Sequence, residues 1–179
     1  MKIIEGFLKA KIIPYKEQSG TRVTSDKVRK AIFDVLKNMI DIKGKKVADI
    51  FCGSGMFGIE SISRGAGRVF FIDESRSVVD ALKKNIKILD ISYCGIKMIN
   101  KKFESFIKTC DEKFDLIFAD PPYYKFDFSK FNDIYKILNK KGIFVLESSK
   151  RLVVGDLNNL QLILEKNYGD TIVRFYRIK

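Results

Sequence analysis

The sequence predicts an α/β fold: an open, twisted, seven-stranded and mostly parallel sheet that ends in an antiparallel hairpin, with helices on both faces. A small N-terminal β-hairpin and helix extension precedes it. Three observations carry this reading. From Lys46 onward, short apolar runs alternate with segments of helical period, the pattern of strand–helix–strand crossovers. The first run leads directly into Gly53-Ser54-Gly55-Met56-Phe57-Gly58, a glycine turn that opens a helix. A later run, Phe114-Asp115-Leu116-Ile117-Phe118-Ala119, is almost continuously apolar, as strands buried on both faces are, and stops at Asp120-Pro121-Pro122-Tyr123.

Taken in order, residues 1–15 read as two short strands of a hairpin-like arm, with basic and apolar residues alternating along the second. A polar loop follows. Then comes a helix capped by Thr24 or Ser25, with Asp26 in its first turn and an apolar face of Val28, Ile32, Val35, Leu36 and Met39. Strands are expected at 46–51, 68–73, 96–100, 114–120 and 142–147, and helices at about 56–64, 76–89, 103–110 and 128–139. Two last strands, about 160–166 and 171–178, meet at Tyr168-Gly169-Asp170, a hairpin turn signal. The chain of 179 residues is read as one unit, 1–179, with a basic arm and helix over 1–45 and the sheet core over 46–179.

Composition narrows the chemistry. The chain has no histidine, which removes Ser-His and Cys-His mechanisms and histidine metal sites together. Its three cysteines, Cys52, Cys94 and Cys110, form neither a disulfide framework nor a zinc pattern. No run approaches the ~18 apolar residues of a membrane span. Together with an N-terminus that lacks signal-peptide character, this predicts a cytoplasmic protein without membrane partners. Lys plus Arg is 34 against 22 Asp plus Glu, a net +12. Residues 1–46 hold 12 basic against 5 acidic side chains, so 12 − 5 = +7 of that excess sits in a quarter of the chain. A basic arm of this kind points to a polyanion, most simply nucleic acid.

Two loops carry the candidate chemistry. Gly53, Gly55 and Gly58 satisfy the G-x-G-x-x-G spacing in a strand–turn–helix context, and Asp73 ends the next strand 20 residues after Gly53, where an acid can bind ribose hydroxyls. Taken alone, this describes a nicotinamide site equally well. Asp49 separates the two. A carboxylate beside the turn would repel a pyrophosphate by ~4 kcal/mol per charge pair at about 4 Å in an effective dielectric near 20. It suits a ligand carrying an ammonium and a sulfonium, which is S-adenosyl-L-methionine. In the second loop, two prolines end the strand and stiffen the chain where open α/β sheets bind ligands. Asp120 and the Pro121 carbonyl can accept from an exocyclic amino group, and Tyr123 can stack its ring.

With both loops in view, the chain resembles the class I S-adenosylmethionine-dependent methyltransferases, whose cores are Rossmann-like. Among them it is similar to the bacterial 16S ribosomal RNA guanine-N2 methyltransferases of the RsmD type. Arg22-Val23-Thr24-Ser25-Asp26-Lys27-Val28-Arg29 resembles the family's Arg-Pro-Thr-x-Asp-x-x-Arg segment, with Val23 in place of proline. Asp49–Gly58, extended by Glu60 and Ser63-Arg64-Gly65-Ala66, resembles its cofactor motif. Asp120-Pro121-Pro122-Tyr123 matches its catalytic motif, and Tyr168-Gly169-Asp170-Thr171 its last hairpin. Asn100-Lys101-Lys102-Phe103 lacks the Asp that commonly meets the adenine amino group, so that contact is expected from backbone groups and Phe103.

The resemblance implies methyl transfer to a guanine N2 of small-subunit ribosomal RNA, with Asp120, Pro121, Pro122 and Tyr123 catalytic. Cofactor contacts are expected from Asp49, Phe51, Gly53, Ser54, Gly55, Gly58, Asp73, Phe103 and Thr24, with no metal. The expected partner is 16S rRNA in the small subunit or an assembly intermediate, held by Lys9, Lys11, Arg22 and Arg29 of a monomer. The rival readings are an adenine-N6 methyltransferase, which would carry a target-recognition insertion, and a non-catalytic RNA-binding assembly factor.

Overall fold

The computed structural model describes residues 1–14, 25–91, 95–122 and 126–179. Seven strands, β1 (Lys46–Ile50), β2 (Arg68–Asp73), β3 (Gly95–Asn100), β4 (Phe114–Ala119), β5 (Leu138–Ser149), β6 (Leu160–Tyr168) and β7 (Thr171–Ile178), form one sheet. Their order is β3-β2-β1-β4-β5-β7-β6, with every pair among the first five parallel and β7 antiparallel to both β5 and β6. The helices are α1 (Asp26–Leu36), α2 (Met56–Ser63), α3 (Arg76–Leu89) and α4 (Phe103–Thr109). No helix among the described residues is long and apolar enough to cross a membrane.

The continuous apolar runs are explained by burial on both faces. Along β4, Leu116 and Phe118 join the core beneath α1, α2 and α3, whereas Ile117 and Ala119 join the opposite core with Phe103, Phe131 and Phe144. The same alternation divides Val69 and Phe71 from Phe70 and Ile72 on β2. The order in which strands are added reverses at β1: β2 and β3 lie to one side, β4 and β5 to the other. The crevice at the carboxyl ends of β1 and β4 is therefore the topological switch point, where such sheets bind ligands.

Three elements differ from the sequence expectation. The segment expected as a helix over 128–139 is a 3-10 segment, Phe128–Lys136. Its buried residues, Phe128, Phe131 and Ile134, recur every three positions, which aligns them on one side only at three residues per turn. Strand β5 begins at Leu138 rather than 142, because Leu138 pairs with Phe114 before the register jumps to Leu116 against Ile143. Among its described residues the N-terminal arm closes through one antiparallel bridge, Lys2 to Ile12, rather than two extended strands. Its inward residues Ile3, Leu8 and Ile13 are nonetheless fully part of the core.

Candidate active site

The glycine loop follows β1. Phe51 adopts a left-handed backbone (φ 58°), as do Gly53 (φ 50°) and Gly55 (φ 75°), so the chain turns sharply into α2 with Gly55 at its N-cap. Left-handed geometry is costly for a residue with a Cβ, and Phe51 holds it under three ring contacts. These are Phe103 at 5.5 Å, Phe126 edge-on at 5.3 Å and Phe131 at 6.4 Å. Gly55 and Gly58 answer to packing as well as to turning. A Cβ on Gly55 would lie 2.5 Å from Leu82 Cδ1, and one on Gly58 2.2 Å from Phe71 Cε1. Close approach of α2 to its neighbours α3 and β2 thus requires both.

Two carboxylates brace this loop. Asp73, ending β2, accepts from the Gly53 N–H at 3.1 Å through one oxygen and from the Ser75 N–H at 2.9 Å through the other. Each oxygen keeps a lone pair for a ligand hydroxyl. Asp49 is 2% exposed and accepts from the Gly58 N–H at 2.9 Å. Burial lifts its carboxyl to about 8; the Gly58 hydrogen bond opposes the shift and the Asp73 charge adds to it. Burial likewise raises the Cys52 thiol well above its ordinary value, which keeps it unreactive. Two carboxyl groups thus flank the loop, the buried one held largely protonated, and a cationic ligand beside it would favour its ionised form.

The second loop leaves β4. Ile50 pairs with Ala119, so Phe51 and Asp120 are the next residues along adjacent parallel strands and emerge side by side. Asp120 is partly buried, Pro121 buried and Pro122 exposed. Phe118, two residues earlier, stacks on Phe57 of α2 at 4.7 Å and 12°. Beyond the prolines, Phe126 returns to meet Phe51, which ties the two loops together. Tyr123, Thr24 and Arg22, named from the sequence, lie outside the described residues.

Two sequence expectations change in role. Arg29, expected to hold RNA phosphates, is 0% exposed. Its guanidinium pairs with Asp26 at 3.0 Å and lies 3.8 Å from the buried Glu60, while Nη2 donates to the Lys2 carbonyl. It is a structural cation and cannot reach RNA. Lys9 and Lys11 are exposed, as expected, although Lys11 Nζ also donates to the Leu89 carbonyl at 3.3 Å. The Phe103 ring is 4% exposed and committed to the aromatic cluster, leaving little of its own surface for a ligand.

Sequence reading missed Phe126. Three sequence-distant phenylalanines, Phe51, Phe103 and Phe126, carry no periodic signal that they share a cluster. It also missed Asn100, whose side-chain amide donates to the carbonyls of Asp73 at 3.0 Å and Glu74 at 2.8 Å and so pins the loop that presents Asp73. A cleft of about 530 Å³, lined by Lys46, Arg68, Glu112 and Asn139 among others, opens at the amino ends of the strands, a full strand length from this site.

The fold and its paired loops define a class I methyltransferase, the class whose cofactor is S-adenosyl-L-methionine. The family model described as Conserved hypothetical protein 95 matches residues 1–177, and the chain belongs to this RsmD family of methyltransferases. It is 29% identical over 185 residues to Ribosomal RNA small subunit methyltransferase D of Haemophilus influenzae, covering 99% of this chain and 93% of that one. The enzyme of the same name from Buchnera aphidicola subsp. Acyrthosiphon pisum is 35% identical over 148 residues, 83% of this chain and 70% of its own. Among solved structures, the Escherichia coli protein yhhF superposes with a TM-score of 0.84 at 27% identity, over 100% of this chain and 98% of that one.

Proposed function

We propose that this protein transfers the sulfonium methyl of S-adenosyl-L-methionine to the N2 amino group of a guanine in small-subunit ribosomal RNA. The observation that carries the reading is the emergence of Asp120-Pro121-Pro122 beside the glycine loop at the switch point, where an acceptor pair and a cofactor turn lie on adjacent strands. The names borne by the relatives supply the ribosomal substrate.

A guanine amino nitrogen is a weak nucleophile, because its lone pair is delocalised into the ring. Hydrogen bonds from its two N–H groups to the Asp120 carboxylate and the Pro121 carbonyl favour a pyramidal nitrogen and aim the lone pair at the methyl. The nitrogen–carbon bond forms as the carbon–sulfur bond breaks. One N2 proton then leaves, and Asp120 is the acceptor nearest to it. Orientation and fixed acceptors of this kind can supply several kcal/mol of the barrier. Asp49 balances the cofactor's positive charge, Asp73 takes its ribose hydroxyls, and the backbone at Gly53 and Gly55 admits it closely. Tyr123 stacks the target base once it is turned out of its surroundings. The exposed Lys9 and Lys11 hold RNA phosphates, and a partly assembled subunit supplies the rest of the recognition.

The test is methyl transfer from labelled S-adenosylmethionine to unmodified small ribosomal subunits, followed by mass spectrometry of the nucleosides. N2-methylguanosine is the expected product. N6-methyladenosine would replace the acceptor, and cofactor binding without any transfer would replace the enzyme with a binding protein.

A further inference from the structure

The N-terminal arm is docked on α2 with unusual tightness, and one buried carboxylate organises the joint. Glu60, fully buried, accepts from the Ile4 N–H at 2.9 Å and the Glu5 N–H at 3.0 Å, and from Arg64 Nε at 3.0 Å. Arg29 of α1 approaches the same carboxylate at 3.8 Å and reaches on to the Lys2 carbonyl. One turn further, Ser63 accepts from the Phe7 N–H (2.9 Å) through its carbonyl and from the Leu8 N–H (3.0 Å) through its hydroxyl, which donates to the Glu5 carbonyl. Gly6, at φ 87°, presses so closely that a Cβ there would lie 1.7 Å from the Ser63 oxygen. Arg64 closes the outer side onto Glu5 at 2.8 Å.

Stability alone does not explain this arrangement. Buried ion pairs seldom add net stability, because desolvation offsets their attraction. Two guanidinium donors of Arg29, Nε and Nη1, find no hydrogen-bond acceptor among the described residues, so the cluster is not even fully satisfied. What such a cluster does fix is register. Helix α2 runs from the glycine loop to Ser63, eight residues or about 12 Å at 1.5 Å per residue. Glu60 and Ser63 therefore set where the arm's lysines stand relative to the cofactor turn. A basic tail that only raised RNA affinity would need no such joint.

We propose that Glu60 is a positioning residue for the RNA substrate, acting through the Gly6–Ser63 seam to hold the basic arm in register with the methyl-transfer loops. The inference rests on the reading that Lys9 and Lys11 contact RNA.

The experiment compares Glu60→Gln, Gly6→Ala and the charge reversal Lys9→Glu/Lys11→Glu, singly and combined, with small subunits as substrate. Thermal melts identify any variant that fails to fold. Gly6→Ala lies outside the buried charge cluster and decides the matter if Glu60→Gln unfolds. The expected result is a KM for the subunit raised about tenfold in Glu60→Gln and Gly6→Ala, with kcat and cofactor Kd within twofold. In the charge-reversed background the same substitutions should add less than twofold, because the displaced lysines no longer matter. Equal effects in both backgrounds would show a purely structural role and overturn the inference, as would an unchanged KM in folded Gly6→Ala. If charge reversal alone leaves KM unchanged while transfer proceeds, the arm contact fails, and this inference with it, but methyl transfer stands. No transfer by the unmodified protein sinks both.

Discussion

Replacing Asp49 with asparagine should make the protein more stable at neutral pH and worse at binding its cofactor. Asp49 lies buried against the glycine turn, and burial raises its carboxyl from 3.8 to about 8. Between those values the folded protein holds a proton that the unfolded chain has released. Folding is then favoured at low pH, and this contribution is lost as pH rises from about 4 to about 8. The slope is about 1.36 kcal/mol per pH unit, so wild type loses roughly 3.4 kcal/mol from this group between pH 5 and pH 7.5. The substituted amide cannot titrate, and its carbonyl can still accept from the Gly58 N–H. The partly buried carboxylates shifted the other way by lysine partners, such as Glu104 and Glu112, are common to both proteins and cancel.

The Tm of Asp49→Asn relative to wild type should therefore climb between pH 5 and pH 7.5. At roughly 2 to 4 °C per kcal/mol for a chain of this size, the climb is about 7 to 14 °C. Calorimetric melts at the two pH values read it directly. Cofactor binding completes the argument. A carboxyl near 8 is about nine-tenths protonated at pH 7. A cationic ligand that favours the ionised form should then expel close to one proton on binding, visible as a buffer-dependent heat in titration calorimetry. Asp49→Asn should release none and bind roughly 10- to 100-fold more weakly, the scale of one lost charge-assisted hydrogen bond. A Tm gap that stays flat with pH, or wild-type binding without proton release, would refute the role given to burial.

Other outcomes follow from the two loops and their packing. Asp120→Ala should lower kcat by at least about 10²-fold while the cofactor Kd stays within about twofold, as single-turnover rates and equilibrium binding can show. Phe126→Leu removes the edge-on contact with Phe51, about 0.5 to 1.5 kcal/mol, and should weaken cofactor binding about 2- to 12-fold by calorimetry. Gly58→Ala forces a methyl group onto the buried Phe71 ring and should cost about 1 to 3 kcal/mol, a Tm fall of roughly 2 to 12 °C. Gly155→Ala, with no atom within 4 Å of its Cβ, should leave the Tm unchanged.

How much of this was legible in the sequence depends on the range of the physics involved. The order of strands and helices, the glycine turn and the diproline stop are local, written in hydrophobic period and in residues that forbid other backbones. They appear in the structure close to where the sequence reads them. Residues 128–139 show the limit of that reading: the apolar spacing of three was visible, but whether a chain tightens to three residues per turn depends on the phenylalanines waiting below it. Arg29 shows a harder limit. Beside Lys27 and Lys30 it reads as one more surface base, and nothing local distinguishes it. Its burial is decided by Glu60, 31 positions away on another helix, and by the Lys2 carbonyl on the arm. Asp49 is the intermediate case. A charge-balancing role could be proposed from its position beside the glycines, but its protonation follows from the depth at which the sheet holds it. Local sequence thus names the candidate groups of the site, while long-range packing decides which of them are charged and which can reach a ligand.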